Sequence, residues 1–409
     1  MADRTRFALV GTGNRGTTMW GRDLLAGWRP EVDLVGICDT NPLRAERART
    51  MIGSNAPIYT DIETTLREAK PELVIVCTPD STHDDIIIAA LEAGCNVITE
   101  KPMTTTLEKI RRIRQAERRT GRRVDVSFNY RFAPTAHRLK SLLLDGAIGT
   151  LTSIDFHWYL DTLHGADYFR RWHAYAANSG SLFVHKATHH FDLLNWYVGA
   201  DPESVSAFGQ LRNYGAAGPF RGERCRTCPH ADRCDYFFDI TTDEFLETLY
   251  EDPSDLDGYV RDACVYREDI DIPDTMTANI RYENEVVVSY SLNTYMPIEG
   301  HHIAFNGTRG RIEIRQYERQ PWETPKADEI LLVHNFGGGV ERISVPHAPG
   351  GHYGGDNLMR DVILRGAADP LGQRAGSRAG AMSVVTGIAA FQSARTGETV
   401  RIADLGGID

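Results

Sequence analysis

The chain has no apolar run approaching the roughly 18–20 residues of a membrane span, so no membrane role is expected. It has no surplus of basic residues: 45 Lys and Arg stand against 56 Asp and Glu, a formal charge of −11. That balance argues against nucleic-acid binding through a general basic surface. No apolar leader or cleavage site lies ahead of the first apolar strand, Phe7–Val10, and the expectation is a cytoplasmic protein. Cysteine is scarce, seven in 409 residues. In a reducing compartment these are expected to be free or metal-bound rather than paired in disulfides. What is present is an ordinary globular composition, 42% hydrophobic and 25% charged, in a chain long enough for two domains with cores of their own.

Residues 1–132 read as a nucleotide-binding domain. Apolar strands at 7–10, 34–38, 73–77, 96–99 and 124–128 alternate with helical stretches at 41–52, 61–69, 81–93 and 107–119. Such alternation predicts a parallel sheet covered on both faces. The first strand runs into Gly11-Thr12-Gly13-Asn14-Arg15-Gly16. In that spacing the first glycine permits a tight turn, the second lets backbone approach a pyrophosphate, and the third allows close helix packing. Asn14 and Arg15 open the helix, whose free N–H groups suit phosphate. The second strand ends at Asp39, a carboxylate placed to hold ribose hydroxyls and to repel a 2′-phosphate, which favours NAD over NADP; Arg44 nearby works the other way. Thr78, Pro79 and His83 follow the third expected strand, and Glu100-Lys101-Pro102 the fourth, where open α/β sheets bind ligands. For His83 a helix-start histidine without ligand contact is the plain alternative. A lysine beside a bound nicotinamide cation should lose proton affinity and serve proton transfer.

Residues 133–409 read differently. Strands are expected at 151–160, 203–211, 275–282, 285–295, 302–305 and 310–316, several joined by short turns, which predicts an antiparallel sheet. Helices at 355–366 and 378–395 should return toward the first domain. Arg170, Arg171 and Trp172 combine cations with an aromatic face, a set suited to an anionic or sugar-like ligand. His185 and His189 are four apart and share a helix face; Lys186 between them opposes a metal. A second cluster, His301, His302, His352 and Asp356, is placed to reach the same cleft. A Cys-rich insertion around 212–265 carries Cys225, Cys228, Cys234 and Cys264. CxxC with two later cysteines fits a structural tetrathiolate zinc site, with an iron–sulfur centre or free thiols as alternatives.

Taken in order, Gly11–Gly16, Asp39, Thr78-Pro79, Glu100-Lys101-Pro102, Asn129-Tyr130-Arg131-Phe132, His189 to Trp196 and Asn306–Gly310 resemble the glucose–fructose oxidoreductase/inositol dehydrogenase (Gfo/Idh/MocA) family. The resemblance covers nearly the whole chain. It implies a Rossmann domain followed by an α+β domain with a large, mostly antiparallel open sheet, bound NAD, a sugar-like small-molecule substrate and a homo-oligomer, dimer or tetramer. It implies catalysis by the residues matching Lys101 and His189; His185 is expected to assist them, and Arg131, Arg170, Arg171, Trp172, Lys186 and His189 are expected toward the substrate. Many members carry an aspartate four residues before the histidine; here that place holds His185, which makes a His-Lys-x-x-His-His-Phe-Asp pattern. Three functions are consistent with these residues. The leading one is hydride transfer between nicotinamide and a hydroxyl-bearing carbon of a sugar, glycoside or cyclitol. The second is NAD-dependent glycoside cleavage by oxidation, elimination, water addition and reduction, for example on a sulfoquinovoside. The third is a non-catalytic ligand sensor.

Overall fold

The structure, a computed structural model, describes residues 4–408. Two sheets organise it. The first is six-stranded and parallel: β1 (Thr5–Val10), β2 (Val32–Cys38), β3 (Ile58–Tyr59), β4 (Leu73–Val76), β5 (Asn96–Thr99) and β6 (Val124–Val126), in the order β3-β2-β1-β4-β5-β6. The order reverses at β1, so the crevice for a nucleotide opens beyond the carboxyl ends of β1 and β4. Two-residue β3 has no apolar run of its own and escaped the sequence reading. The flanking helices begin where short polar side chains cap them: Asn41 accepts from Arg44 N–H and Thr106 from Lys109 N–H.

The second sheet has nine strands: β7 (Leu151–Asp161), β8 (Pro202–Gln210), β9 (Thr275–Tyr282), β10 (Val287–Met296), β11 (Glu299–Gly307), β12 (Gly310–Arg319), β13 (Ala327–His334), β14 (Val340–Pro346) and β15 (Val400–Arg401). Their order is β14-β13-β12-β11-β7-β10-β9-β8-β15, antiparallel throughout except where β10 lies parallel to β7. The fold class is the expected one: Rossmann-like, then α+β with a large, mostly antiparallel sheet. Sequence reading missed β13–β15 and cut β11 short, because polar residues such as Glu299 and His301 mask its start; here they face a buried side.

One face of this sheet is covered by the helix Ala187–Val198, ten of whose twelve residues are buried. The helix Ser377–Thr396 packs against that helix, against β8 and against β6, and so ties the two sheets together. Helix Gly355–Arg365 closes onto the nucleotide domain, where Arg360 donates to the Met19 carbonyl and Asp361 accepts from the Trp28 indole. Among the described residues no helix is long and apolar enough to cross a membrane.

Candidate active site

The glycine loop is shaped for close approach. A Cβ on Gly11, at φ +92°, would lie 2.6 Å from the Cys77 carbonyl carbon, and one on Gly16 would lie 2.1 Å from the Gly11 oxygen. No side chain fits either place, which lets backbone come close to a phosphate. Asp39 holds the loop from the end of β2: its Oδ2 accepts from Thr12 N–H and Oγ1 at 2.8 and 2.7 Å, and its Oδ1 accepts from Asn41 N–H at 2.9 Å. Arg44, the cation that could have welcomed a 2′-phosphate, is taken by Asp257 of the insertion at 2.7 Å. Tyr250, also from the insertion, accepts the Asn14 N–H on its hydroxyl at 2.7 Å.

At the other end of the crevice β5 delivers Glu100 and Lys101. The Glu100 carboxylate accepts from Arg15 Nε and the Trp20 indole, both at 2.8 Å, so it anchors this turn to the first helix. Lys101 Nζ stands 3.4 Å from His185 Nε2 and donates to the His185 carbonyl at 3.3 Å. Behind it, His185 Nδ1 meets Asp80 Oδ2 at 2.5 Å. Burial pushes the lysine down to about 8, and Lys186 and Arg15 act the same way while Asp80 and Glu100 oppose them. Burial also drives His185 well below its ordinary range, so it is neutral at pH 7, and raises Asp80 above the usual carboxylate range. His185 ends a four-residue helix whose preceding residue, Ser181, sits at φ 75° and ψ 173°, a conformation that normally belongs to glycine.

The sheet supplies the far wall. Trp158 on β7 and His301 on β11 are opposed across the ladder, and their rings stack at 4.6 Å. His190 stacks on the same indole at 4.2 Å, and Tyr130 faces His189 at 4.5 Å. The Lys186 ammonium lies 4.9 Å from the Trp158 ring centre and 5.7 Å from that of Tyr130. Trp172 stacks on His173 at 3.6 Å, and His173 meets His185 edge-on at 4.3 Å. Five buried atoms around these rings, Trp158 Nε1, His173 Nδ1, His189 Nδ1, His190 Nε2 and His301 Nδ1, have no hydrogen-bond partner among the described residues. Each such atom costs about 1–3 kcal/mol unless a ligand or water meets it.

Several sequence-based expectations need correction. Arg131 is buried in a bidentate pair with Asp192, both bonds 2.6 Å, which engages its guanidinium within the protein. Arg170 turns away from the cleft to Cys225 Sγ at 3.1 Å and the Tyr236 carbonyl. Arg171 is held by Asp167 at 3.1 Å and Tyr259 at 3.3 Å, so no free anion clamp remains in this segment. His83 is fully buried and spends its ring on the Pro102 and Thr78 carbonyls at 3.0 and 2.9 Å, tying the two strand ends together. Thr78 accepts from Thr82 at 2.9 Å. Pro79 precedes the turn that carries Asp80. His302 pairs with Glu313 at 3.0 Å, outside the cleft, whereas His352 and Asp356 form a pair at its rim and Asp356 reaches Arg15 at 3.5 Å. The sequence reading missed Asp80, Trp158, Tyr250 and Asp257. Asp80 had a signal, one residue past Thr78-Pro79; the others had none short of the fold.

A glycine cradle built for phosphates and a lysine at the nicotinamide end define an NAD-binding oxidoreductase. Residues 5–128 match the NAD-binding Rossmann fold of an oxidoreductase family and residues 140–402 match that family's C-terminal alpha/beta domain. The chain belongs to the Gfo/Idh/MocA family. Protein YteT of Bacillus subtilis (strain 168) is 35% identical over 411 residues, 95% of each chain. D-glucoside 3-dehydrogenase of Escherichia coli (strain K12) is 32% identical over 123 residues, 30% of this chain and 35% of that one. Levoglucosan dehydrogenase, solved with NADH and levoglucosan, superposes with a TM-score of 0.71 at 18% identity, covering 98% of this chain and all of that one, which establishes likeness of fold. At family level the chain is an NAD-dependent oxidoreductase.

Proposed function

We propose that this protein oxidises a hydroxyl-bearing carbon of a sugar, glycoside or cyclitol with NAD, Lys101 taking the hydroxyl proton. The observation that carries the reading is the line Lys101–His185–Asp80, with gaps of 3.4 and 2.5 Å. Bound NAD⁺ supplies the hydride acceptor. Neutral Lys101 accepts the proton from the substrate hydroxyl. His185, held by Asp80 at Nδ1, sets its Nε2 and its carbonyl against Lys101 Nζ and so positions the amine toward the substrate hydroxyl. Asp80 thereby restores the carboxylate that His185 displaced from the usual family position. His189 and Lys186 line the substrate side. Arg131, Arg170 and Arg171 are all engaged by the protein's own groups, which leaves Lys186 as the cation without an ion-pair partner on that side among the described residues.

Redox-neutral glycoside cleavage is the second reading, supported by Lys186. Its ammonium rests on two aromatic rings with no carboxylate in ion-pair reach among the described residues, a further group free to move a proton. A panel of neutral and anionic sugars, glycosides and cyclitols, read for NADH absorbance and for released aglycone, separates the two. NADH formed with substrate supports oxidation; aglycone released without net NADH supports cleavage; neither product from any member, with NAD bound, refutes both. The outer face of the second sheet, where Val287 is 48% exposed and Phe208 69%, is the surface we assign to self-association as a dimer or tetramer, checked by light scattering.

A further inference from the structure

The insertion at 212–265 stands outside this chemistry, and its four cysteines come together. Cys225, Cys228, Cys234 and Cys264 all line one cavity of about 10 Å³, room for a single small ion. The segments that bear them are fastened side by side: Cys225 N–H donates to the Asp262 carbonyl at 2.8 Å and Cys264 N–H to that of Glu223 at 3.0 Å. A second observation concerns charge. Arg170 lines the same cavity and is 6% exposed, yet no carboxylate lies within ion-pair distance of it among the described residues. Its neighbours are all matched: Arg171 and Arg261 by Asp167, Arg224 by Glu251 and Asp262. A buried guanidinium stays charged and needs a countercharge. Four thiolates around one divalent ion carry a net charge of about −2, and Arg170 Nη1 already stands 3.1 Å from Cys225 Sγ.

We propose that Cys225, Cys228, Cys234 and Cys264 bind one structural zinc ion, and that this ion fixes the segment that lays Tyr250 on the nucleotide loop and Asp257 on Arg44. Among the described residues no three His, Cys, Asp or Glu side chains already stand in ligating geometry. Metal binding therefore draws the thiols inward and orders the segment around them. That segment consists of short turns and helices without a sheet, the kind of structure a tetrathiolate site holds where a core is lacking. Four protein thiolates leave no open position, so the ion does no chemistry.

The test uses full-length protein purified without chelator. Elemental analysis should give one zinc per chain, and X-ray absorption should show sulfur neighbours at about 2.3 Å. Protein stripped of metal and refilled with Co²⁺ should show the visible bands of a tetrahedral thiolate site. Folded protein that carries no metal and takes up neither Zn²⁺ nor Co²⁺ overturns the proposal, as does iron with inorganic sulfide in place of zinc. Hydrogen exchange tests the second half. On zinc removal, exchange should quicken at residues 244–258 and at the Asn14 amide while β1 and β4 stay protected; unchanged exchange in that segment overturns the link. None of these readouts depends on turnover, so they stand apart from the assignment of Lys101.

Discussion

Lys101 should titrate as no surface lysine does. Burial moves it from 10.5 to about 8, so at pH 7 the neutral amine rises from about 0.03% to about 10%, a factor on the order of 300. Oxidation of an alcohol needs the neutral form, so its rate should climb with pH through about 8 and then level; reduction needs the protonated form and should fall over the same interval. The groups facing Nζ set the sign of each perturbation. Asp80 and Glu100 favour its proton, whereas Lys186 and Arg15 disfavour it. Asp80→Asn should therefore lower the midpoint below about 8, and Lys186→Met should raise it. The direct assay is competitive acylation of lysines across pH, with Lys101 followed by mass spectrometry, which needs no substrate. A midpoint near 10.5, or an oxidation rate flat from about pH 6.5 to about 9.5, would refute the assignment of Lys101 as the base.

Other expectations concern separate parts of the molecule. Asp80→Asn and His185→Ala should each slow single-turnover hydride transfer by about 10²–10⁴-fold while calorimetric NAD affinity stays within a few-fold; unimpaired transfer in both removes that positioning role. Asp39→Ala and Asp257→Ala should each narrow the preference for NAD over NADP, the second by releasing Arg44, and an unchanged affinity ratio in the double variant would show that neither carboxylate sets it. Arg131→Leu leaves Asp192 buried without its cation and should cost about 3–5 kcal/mol in denaturant unfolding; a loss under about 1 kcal/mol would mean the pair is not structural. Ser181→Gly should raise the unfolding temperature, because relief of about 1–3 kcal/mol of backbone strain exceeds the few tenths lost with the cap; a lower temperature would place the strain elsewhere.

The nucleotide domain was legible because its signals are local. An apolar run of four residues, a glycine turn and a carboxylate at the next strand end lie within one supersecondary unit, and β5 emerged with the bounds the sequence implied. The substrate wall was not legible, for a geometric reason. Asp80 and His185 are 105 residues apart, and Asn14 and Tyr250 are 236 apart. Trp158 meets His301 only because β7 and β11 pair in one register. The arginines misled for a related reason: an Arg next to an aromatic reads alike whether it faces ligand or a buried carboxylate, and only the partner, Asp192 for Arg131 or the Cys225 thiol for Arg170, tells them apart.

Tyr250 has one consequence for cofactor binding. Its hydroxyl rests on an amide of the phosphate loop, and the chain around it is moored to the nucleotide domain through Asn41, Arg44 and Arg47. A phosphate that is to use that amide must displace the Tyr250 hydroxyl, so part of the cost of seating a dinucleotide is set by the insertion and not by the glycine loop alone.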